Sequence, residues 1–315
     1  MKKGIRIWNM DIGIVAPEEI IKEDRFYWLD TNFTYEVISF RENNMDAYFQ
    51  VEESDRGGLW IDGNTLKTRG NFHTWYRKTA DKRFTLFGNL GLFSTWVLRS
   101  IEERKEGITF HACALKKEDR LLIVSGGAGS GKTVFILSAL ERGWRIFATE
   151  FVHLQVKKNV QFYRGALKDA VRVDTFRHHF PHLAEKLGLD LKEETGDKLV
   201  VDFSLFKVEE KILKDPRIVF IFPHVEEKRE RIIYRELKDK ESILRNLFQN
   251  ASEKLGKSLL LYGCWAVPGL DTPVLAEKRV ERLMKLLEKG KVEKTLVWVS
   301  GVKEVSEIIQ KMEWR

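Results

Sequence analysis

The sequence predicts an α/β fold in two domains, a smaller β-rich α+β module over residues 1–105 and a larger P-loop domain over residues 106–315. Three observations carry this expectation. The chain has 315 residues and 43% hydrophobic content, too long for one small domain and apolar enough to fill two cores. Its first third reads as short strands separated by turn formers, whereas the remainder adds amphipathic helical segments. A glycine-rich stretch, Gly126 to Thr133, sits between a strand-like and a helix-like segment.

In the first module, Tyr35 to Phe40, Asp46 to Val51 and Leu59 to Asp62 combine aromatic and β-branched residues at strand length. Asn43-Asn44 and Asp62-Gly63-Asn64 supply turns, and the pattern predicts a small antiparallel sheet. Thr74-Trp75-Tyr76-Arg77-Lys78 is expected to add a strand, with its rings on a sheet face or in the core. Leu92, Trp96, Val97 and Ile101 then recur at helical spacing, with Arg99, Glu102, Glu103, Arg104 and Lys105 opposite them.

The second domain opens with a predicted hairpin, Ile108 to Leu115 and Leu121 to Val124 around a polar turn from Lys116 to Arg120. It delivers the chain to the glycine-rich loop. Val134 to Arg142 reads as a helix ended by Gly143, a residue that accepts the left-handed conformation of a helix stop. Strands are expected at Arg145 to Ala148, Val152 to Val156, Val160 to Tyr163, Ile218 to Phe222, Ile232 to Arg235 and Thr295 to Val299. Helices are expected at Lys240 to Lys254, Ala276 to Glu288 and Val302 to Met312.

Composition narrows the function classes. Charged residues reach 32% against a usual value of about 25%, with few Gln, a bias common in proteins from hot environments, so a thermophilic source is expected. The net charge of +7 attracts any anion, but basic and acidic residues are interleaved, as in Glu209-Glu210-Lys211 and the run from Glu226 to Arg231. That pattern is a solvated surface rather than a nucleic-acid track. Two cysteines, Cys113 and Cys264, make neither a disulfide framework nor a CxxC metal pair, and no apolar run suits a signal segment or a membrane span. A reduced, cytoplasmic setting is the expectation.

Gly126-Gly127-Ala128-Gly129-Ser130-Gly131-Lys132-Thr133 satisfies G-x-x-x-x-G-K-[ST] in full. Glycines let the main chain wrap closely enough for N–H groups to face phosphate oxygens, and the next helix offers its positive end to the same anion. The motif predicts a nucleoside triphosphate, with Lys132 neutralising β- and γ-phosphate charge and the Thr133 hydroxyl ligating Mg2+; ATP is the expected nucleotide, while the residues leave the choice between adenine and guanine open. Such a site also needs an acidic group beside the metal, and Glu150, closing Arg145-Ile-Phe-Ala-Thr-Glu150, is the candidate.

The stretch from His111 to Val156 resembles the catalytic domain of the HPr kinase/phosphorylase family, the P-loop version of the phosphoenolpyruvate carboxykinase-like fold. The matching residues are His111-Ala112, the P-loop, Glu141-Arg142-Gly143-Trp144-Arg145 and Ala148-Thr149-Glu150; Tyr163-Arg164-Gly165-Ala166 is similar to the family's Arg-Gly signature. The resemblance implies a kinase-type phosphotransferase acting on a hydroxyl of a small molecule or a protein serine, with His111 and Arg164 near the γ-phosphate and a homo-oligomeric state. It also implies an acidic pair that holds metal and takes the acceptor proton. Here the first member is Thr149, which cannot serve as a base. Either Glu150 does both jobs, or another group supplies the base, or the chain keeps nucleotide binding alone, as a sensor whose first module engages a partner. The first 105 residues do not match the N-terminal domain of true HPr kinases, so HPr is not assigned as substrate. His178, His179 and His182 lack a carboxylate or Cys to complete a ligand set and read as surface histidines, and Arg172 and Arg177 read as ion-pair residues.

Overall fold

A computed structural model describes residues 1–313 apart from 23–25, 27–28, 192–197, 227–228 and 230, with side chains through residue 310. Glu227, Lys228 and Glu230 of the interleaved charge run therefore lie outside the described residues. Contacts divide the chain into two compact units, one formed by Met1–Thr109 with Ser252–Arg279, the other by Phe110–Ala251 with Val280–Arg315. The expected boundary at residue 105 falls close to the end of the first segment at Thr109, whereas Ser252–Arg279, expected in the second domain, packs with the first unit.

The first unit contains β1 (Lys2–Ile7), β2 (Met10–Val15), β3 (Tyr35–Ile38), β4 (Ala47–Glu53), β5 (Gly58–Asp62), β6 (Thr65–Gly70), α1 (Phe72–Lys78) and α2 (Leu92–Lys105). Its strands form a sheet in the order β3-β1-β2-β4-β6-β5. β1 and β2 make a hairpin that buries Ile5, Ile7, Met10, Ile12 and Ile14. The sheet is mixed rather than antiparallel, because β2 pairs β4 and β4 pairs β6 in parallel. Tight turns dictate antiparallel pairing only where they join neighbours, as Asp62-Gly63-Asn64 does for β5 and β6, with Gly63 at φ 60°. The expected strand at Thr74–Lys78 is a helix, α1. Phe72 and Trp75 lie three residues apart on one face, and Arg77 and Lys78 sit at the negative C-terminal end, both features of a helix.

The second unit is assembled from β7 (Gly107–Lys117), β8 (Arg120–Ser125), α3 (Lys132–Glu141), β9 (Arg145–Ala148), β10 (Phe151–Val156), β11 (Val160–Tyr163), β12 (Lys168–Arg172), α4 (Val173–His179), α5 (Pro181–Lys186), β13 (Lys198–Asp202), β14 (Ile212–Lys214), β15 (Arg217–Val225), β16 (Ile233–Glu236) and α6 (Lys240–Gly256). β17 (Leu259–Leu261) and β18 (Trp265–Val267) form a hairpin in the returning stretch of the first unit; α7 (Pro273–Lys289), β19 (Lys291–Ser300) and α8 (Val302–Glu313) close the chain.

The main sheet of the second unit runs β14-β11-β10-β7-β8-β15-β19-β16, with β9 paired to β7. β8, β15 and β19 are parallel neighbours, the β7–β8 hairpin is antiparallel, and the fold is mixed α/β. Parallel strands at the centre are buried on both faces, and the runs Leu121–Val124 and Ile218–Ile221 are accordingly apolar throughout. Phe135, Ile136, Leu137 and Leu140 of α3 pack with Val305, Ile308 and Ile309 of α8 in the core under β8 and β15. The loop after β8 thus leaves a rigid central strand and enters a helix fixed by its own apolar face. β12 and β13 form a separate two-stranded sheet that sequence periodicity did not single out.

Candidate active site

The glycine-rich loop begins where β8 ends and closes at the first residue of α3, Lys132. Gly129 and Gly131 take φ 81° and 100°, a left-handed region that strains side-chain-bearing residues. At Gly131 a Cβ would lie 2.3 Å from Val225 Cγ2, so only glycine lets the loop pass β15 there. The loop presents the N-terminal end of α3, with Ala128 and Gly129 exposed to solvent.

His111 lies on β7 one residue before Ala112, which faces Ser125 across the hairpin, so the pairing sets His111 level with the loop. Its carbonyl accepts from the Gly126 N–H at 3.4 Å and from Asn250 Nδ2 of α6 at 2.9 Å. Glu150 sits in the turn between β9 and β10, anchored by its carbonyl to the Ala112 N–H at 3.0 Å. These main-chain bonds bring three side chains together. His111 Nε2 is 2.7 Å from Glu150 Oε1 and 3.1 Å from Lys132 Nζ, and Lys132 Nζ is 3.9 Å from Glu150 Oε2. Lys132 also donates to the carbonyls of Gly126 at 2.7 Å and Gly127 at 3.4 Å. The His111 Nε2 therefore faces an ammonium donor and a carboxylate acceptor: protonated it donates to Glu150, unprotonated it accepts from Lys132, and it can satisfy only one of them at a time.

One residue that sequence reasoning missed joins this cluster. Asp169 of β12 accepts from the Thr133 hydroxyl at Oδ2, 3.0 Å away. Burial, then the nearby Glu150 charge, push its carboxyl up to about 6, against the opposing pull of the Thr133 hydrogen bond and Lys132. Thr149 is buried and bonded to the main chain, its Oγ1 donating to the carbonyls of Ala166 at 3.1 Å and Lys168 at 2.7 Å. It is spent on the turn that leads into β12.

Arg164, the fourth residue suggested for catalysis, is half-buried and donates from Nη1 to the Val208 carbonyl at 2.9 Å. Its described partners thus lie along the chain segment that precedes β14, not in the Lys132–His111–Glu150 cluster. Arg177 pairs with Asp174 and the Leu191 carbonyl. His178 and His182 are exposed, and among the described residues no group of three or more His, Cys, Asp or Glu side chains is arranged to hold a metal ion. The Cys113 thiol, beneath the loop, is held up by burial and stays protonated. Among the described residues no helix is long and apolar enough to cross a membrane.

No family model matches the chain, and no curated protein matches it. Among solved structures, the Hpr(Ser) kinase/phosphatase from Coxiella burnetii is similar over 58% of this chain and 99% of its own, at 15% identity and a TM-score of 0.25. At that score the likeness carries no weight for function.

Proposed function

We propose that the chain is an ATP-dependent phosphotransferase that moves the γ-phosphoryl group to a hydroxyl of a small molecule or a protein serine. The observation that carries this reading is the convergence of Lys132, His111 and Glu150 at the mouth of a complete P-loop. The glycine-rich loop from Gly126 to Gly131 would cradle the phosphates with its main-chain N–H groups. Lys132, now drawn back onto two loop carbonyls and His111, would turn to the β- and γ-phosphate oxygens as the stronger acceptors. Once it leaves, His111 Nε2 carries its proton toward Glu150 Oε1 and holds that carboxylate in place.

Glu150 is then the group that takes the acceptor proton while the acceptor oxygen bonds to the γ-phosphorus and the bond to the bridging oxygen breaks, ADP leaving with that electron pair. The oxygen donors around Thr133 are hard and anionic, a set that suits Mg2+. Thr133 with Glu150 is the pair the sequence nominated to hold it, and the ion would supply neutralisation of phosphate charge. Lys132→Ala is expected to lower turnover of γ-labelled ATP by about 3 orders of magnitude, within the range that loss of one charge-stabilising group produces. A panel of metabolites and a cell extract locates the label; full activity in the variant removes the mechanism.

A second reading has its own support. With the Thr149 hydroxyl committed to the Ala166 and Lys168 carbonyls, no acid or base stands at that position, and a nucleotide sensor with a partner-binding first unit would need none. Saturable ATP binding with no label transferred and no phosphate released would favour the sensor over the enzyme.

A further inference from the structure

We infer that Asp169, together with Thr133, holds the divalent cation of the bound metal–nucleotide complex, and that Thr149 is the positioning residue that brings Asp169 there. The inference rests on the nucleotide reading above and moves the metal from Glu150 to a carboxylate on a different strand. Its basis is a chain of contacts, each with a physical reason.

The turn between β11 and β12 is drawn tightly against the start of β10. At Gly165 a Cβ would lie 1.9 Å from the Phe151 carbonyl oxygen, so glycine alone permits that approach. Thr149 then fastens the turn from the other side. Its N–H and its hydroxyl both donate to the Ala166 carbonyl, and the hydroxyl reaches the Lys168 carbonyl as well. Lys168 is the residue before Asp169, so the fastened carbonyl fixes where β12 begins and where the Asp169 carboxylate stands. That carboxylate meets the Thr133 hydroxyl, 36 residues earlier in the chain and the P-loop group whose position follows the phosphate-binding lysine.

A hydroxyl beside a carboxylate is a pair of hard oxygen donors, the set that a small divalent cation carrying phosphate oxygens and water accepts. Glu150 is the neighbouring carboxylate that repels Asp169, and a cation at Asp169 would relieve that repulsion. Glu150 meanwhile keeps its short contact with His111, the arrangement of a carboxylate held ready for a proton. The two tasks that a single Glu150 would have had to combine are thereby divided between two carboxylates.

The test is a binding experiment on the full chain with a fluorescent ATP analogue, with and without Mg2+, alongside Mn2+ electron paramagnetic resonance in the presence of non-hydrolysable ATP. For Asp169→Asn the metal-free affinity is expected to equal or exceed that of the unaltered chain. The gain in affinity on adding Mg2+, and the bound Mn2+ signal, are expected to fall by about 10- to 100-fold. Thr149→Val is expected to show the same selective loss and Thr149→Ser to restore it, a rescue that loss of general stability would not produce. Unchanged Mg2+ stimulation in Asp169→Asn, or its loss in Glu150→Gln while Asp169→Asn retains it, overturns the inference and leaves the nucleotide reading standing. An unaltered chain that binds no ATP under either condition overturns both.

Discussion

His153 stands on β10 three residues past Glu150, 2% exposed, and burial lowers its imidazole to about 4 from an ordinary 6.5. Its folded value lies below its unfolded value, so between pH 6.5 and about 4 the unfolded chain binds a proton that the native chain refuses. The stability contributed by neutral His153 is therefore complete above pH 6.5 and is lost as the pH falls toward 4. Between pH 7 and pH 5 this one residue is expected to remove about 2 kcal/mol. Urea denaturation of the unaltered chain and of His153→Gln at the two pH values measures it; equal pH dependence in both would refute the assignment. The same scale shows what the sequence could and could not disclose about the site. Lys132 and Thr133 are legible because the P-loop pattern is local, and Glu150 because it ends an apolar strand at a useful distance from that pattern. Asp169 is not, since its relation to Thr133 depends on β12 being folded back by Gly165 and Thr149, contacts that no spacing encodes. Thr149 reads as a lost acid in one dimension and as a main-chain fastener in three.

At the scale of elements, segments with one clear period and a marked end were readable, down to the four-residue strands β9 and β11 at their expected bounds. The helix α2 and the β7–β8 hairpin follow from apolar spacing and a polar turn. α1 did not, because a seven-residue segment rich in rings satisfies a strand reading until its partners are known. Those partners, Tyr262 and Trp265, come from the β17–β18 hairpin, with ring centroids 5.8 and 5.9 Å from Trp75. α2 has a polar counterpart to this packing. Glu102 is 1% exposed and receives a two-pronged bond from Arg279 of α7, Nε to Oε1 at 2.9 Å and Nη2 to Oε2 at 2.8 Å; Arg279 also bonds Asp271 and Ser252. An arginine fork matches two carboxylates that way, and removing it leaves Glu102 charged and buried with its main counterion gone. Arg279→Met is expected to cost about 3 to 5 kcal/mol, read as a lower denaturation midpoint. The double change Arg279→Met with Glu102→Met is expected to recover most of that loss, and a double variant no more stable than the single one would show that the pair contributes more than mutual neutralisation.

For the whole molecule, the division into units that are not continuous in sequence has a direct consequence for which fragments can fold. The sequence offered no sign of it, because no glycine, proline or serine linker marks residues 252 and 279; both fall inside helices, α6 and α7, whose periodicity runs on undisturbed. A fragment of residues 1–109 contains every strand of the six-stranded sheet, and by sequence alone it is a domain. It lacks Tyr262, whose N–H donates to the Phe84 carbonyl at 2.8 Å and whose hydroxyl accepts from the Leu86 N–H at 3.0 Å. It also lacks Trp265, which covers Phe72 at a centroid distance of 5.5 Å, and Arg279, which neutralises Glu102. An uncovered aromatic face and a buried charge of this kind together exceed the few kcal/mol by which a domain of such size is stable. The 1–109 fragment is accordingly expected to melt without a cooperative transition in near-ultraviolet circular dichroism, and a chain joining 1–109 to 252–279 through a flexible linker is expected to restore one. A sharp transition in the short fragment alone would mean that its sheet suffices, and that Ser252–Arg279 decorates the first unit without completing its core.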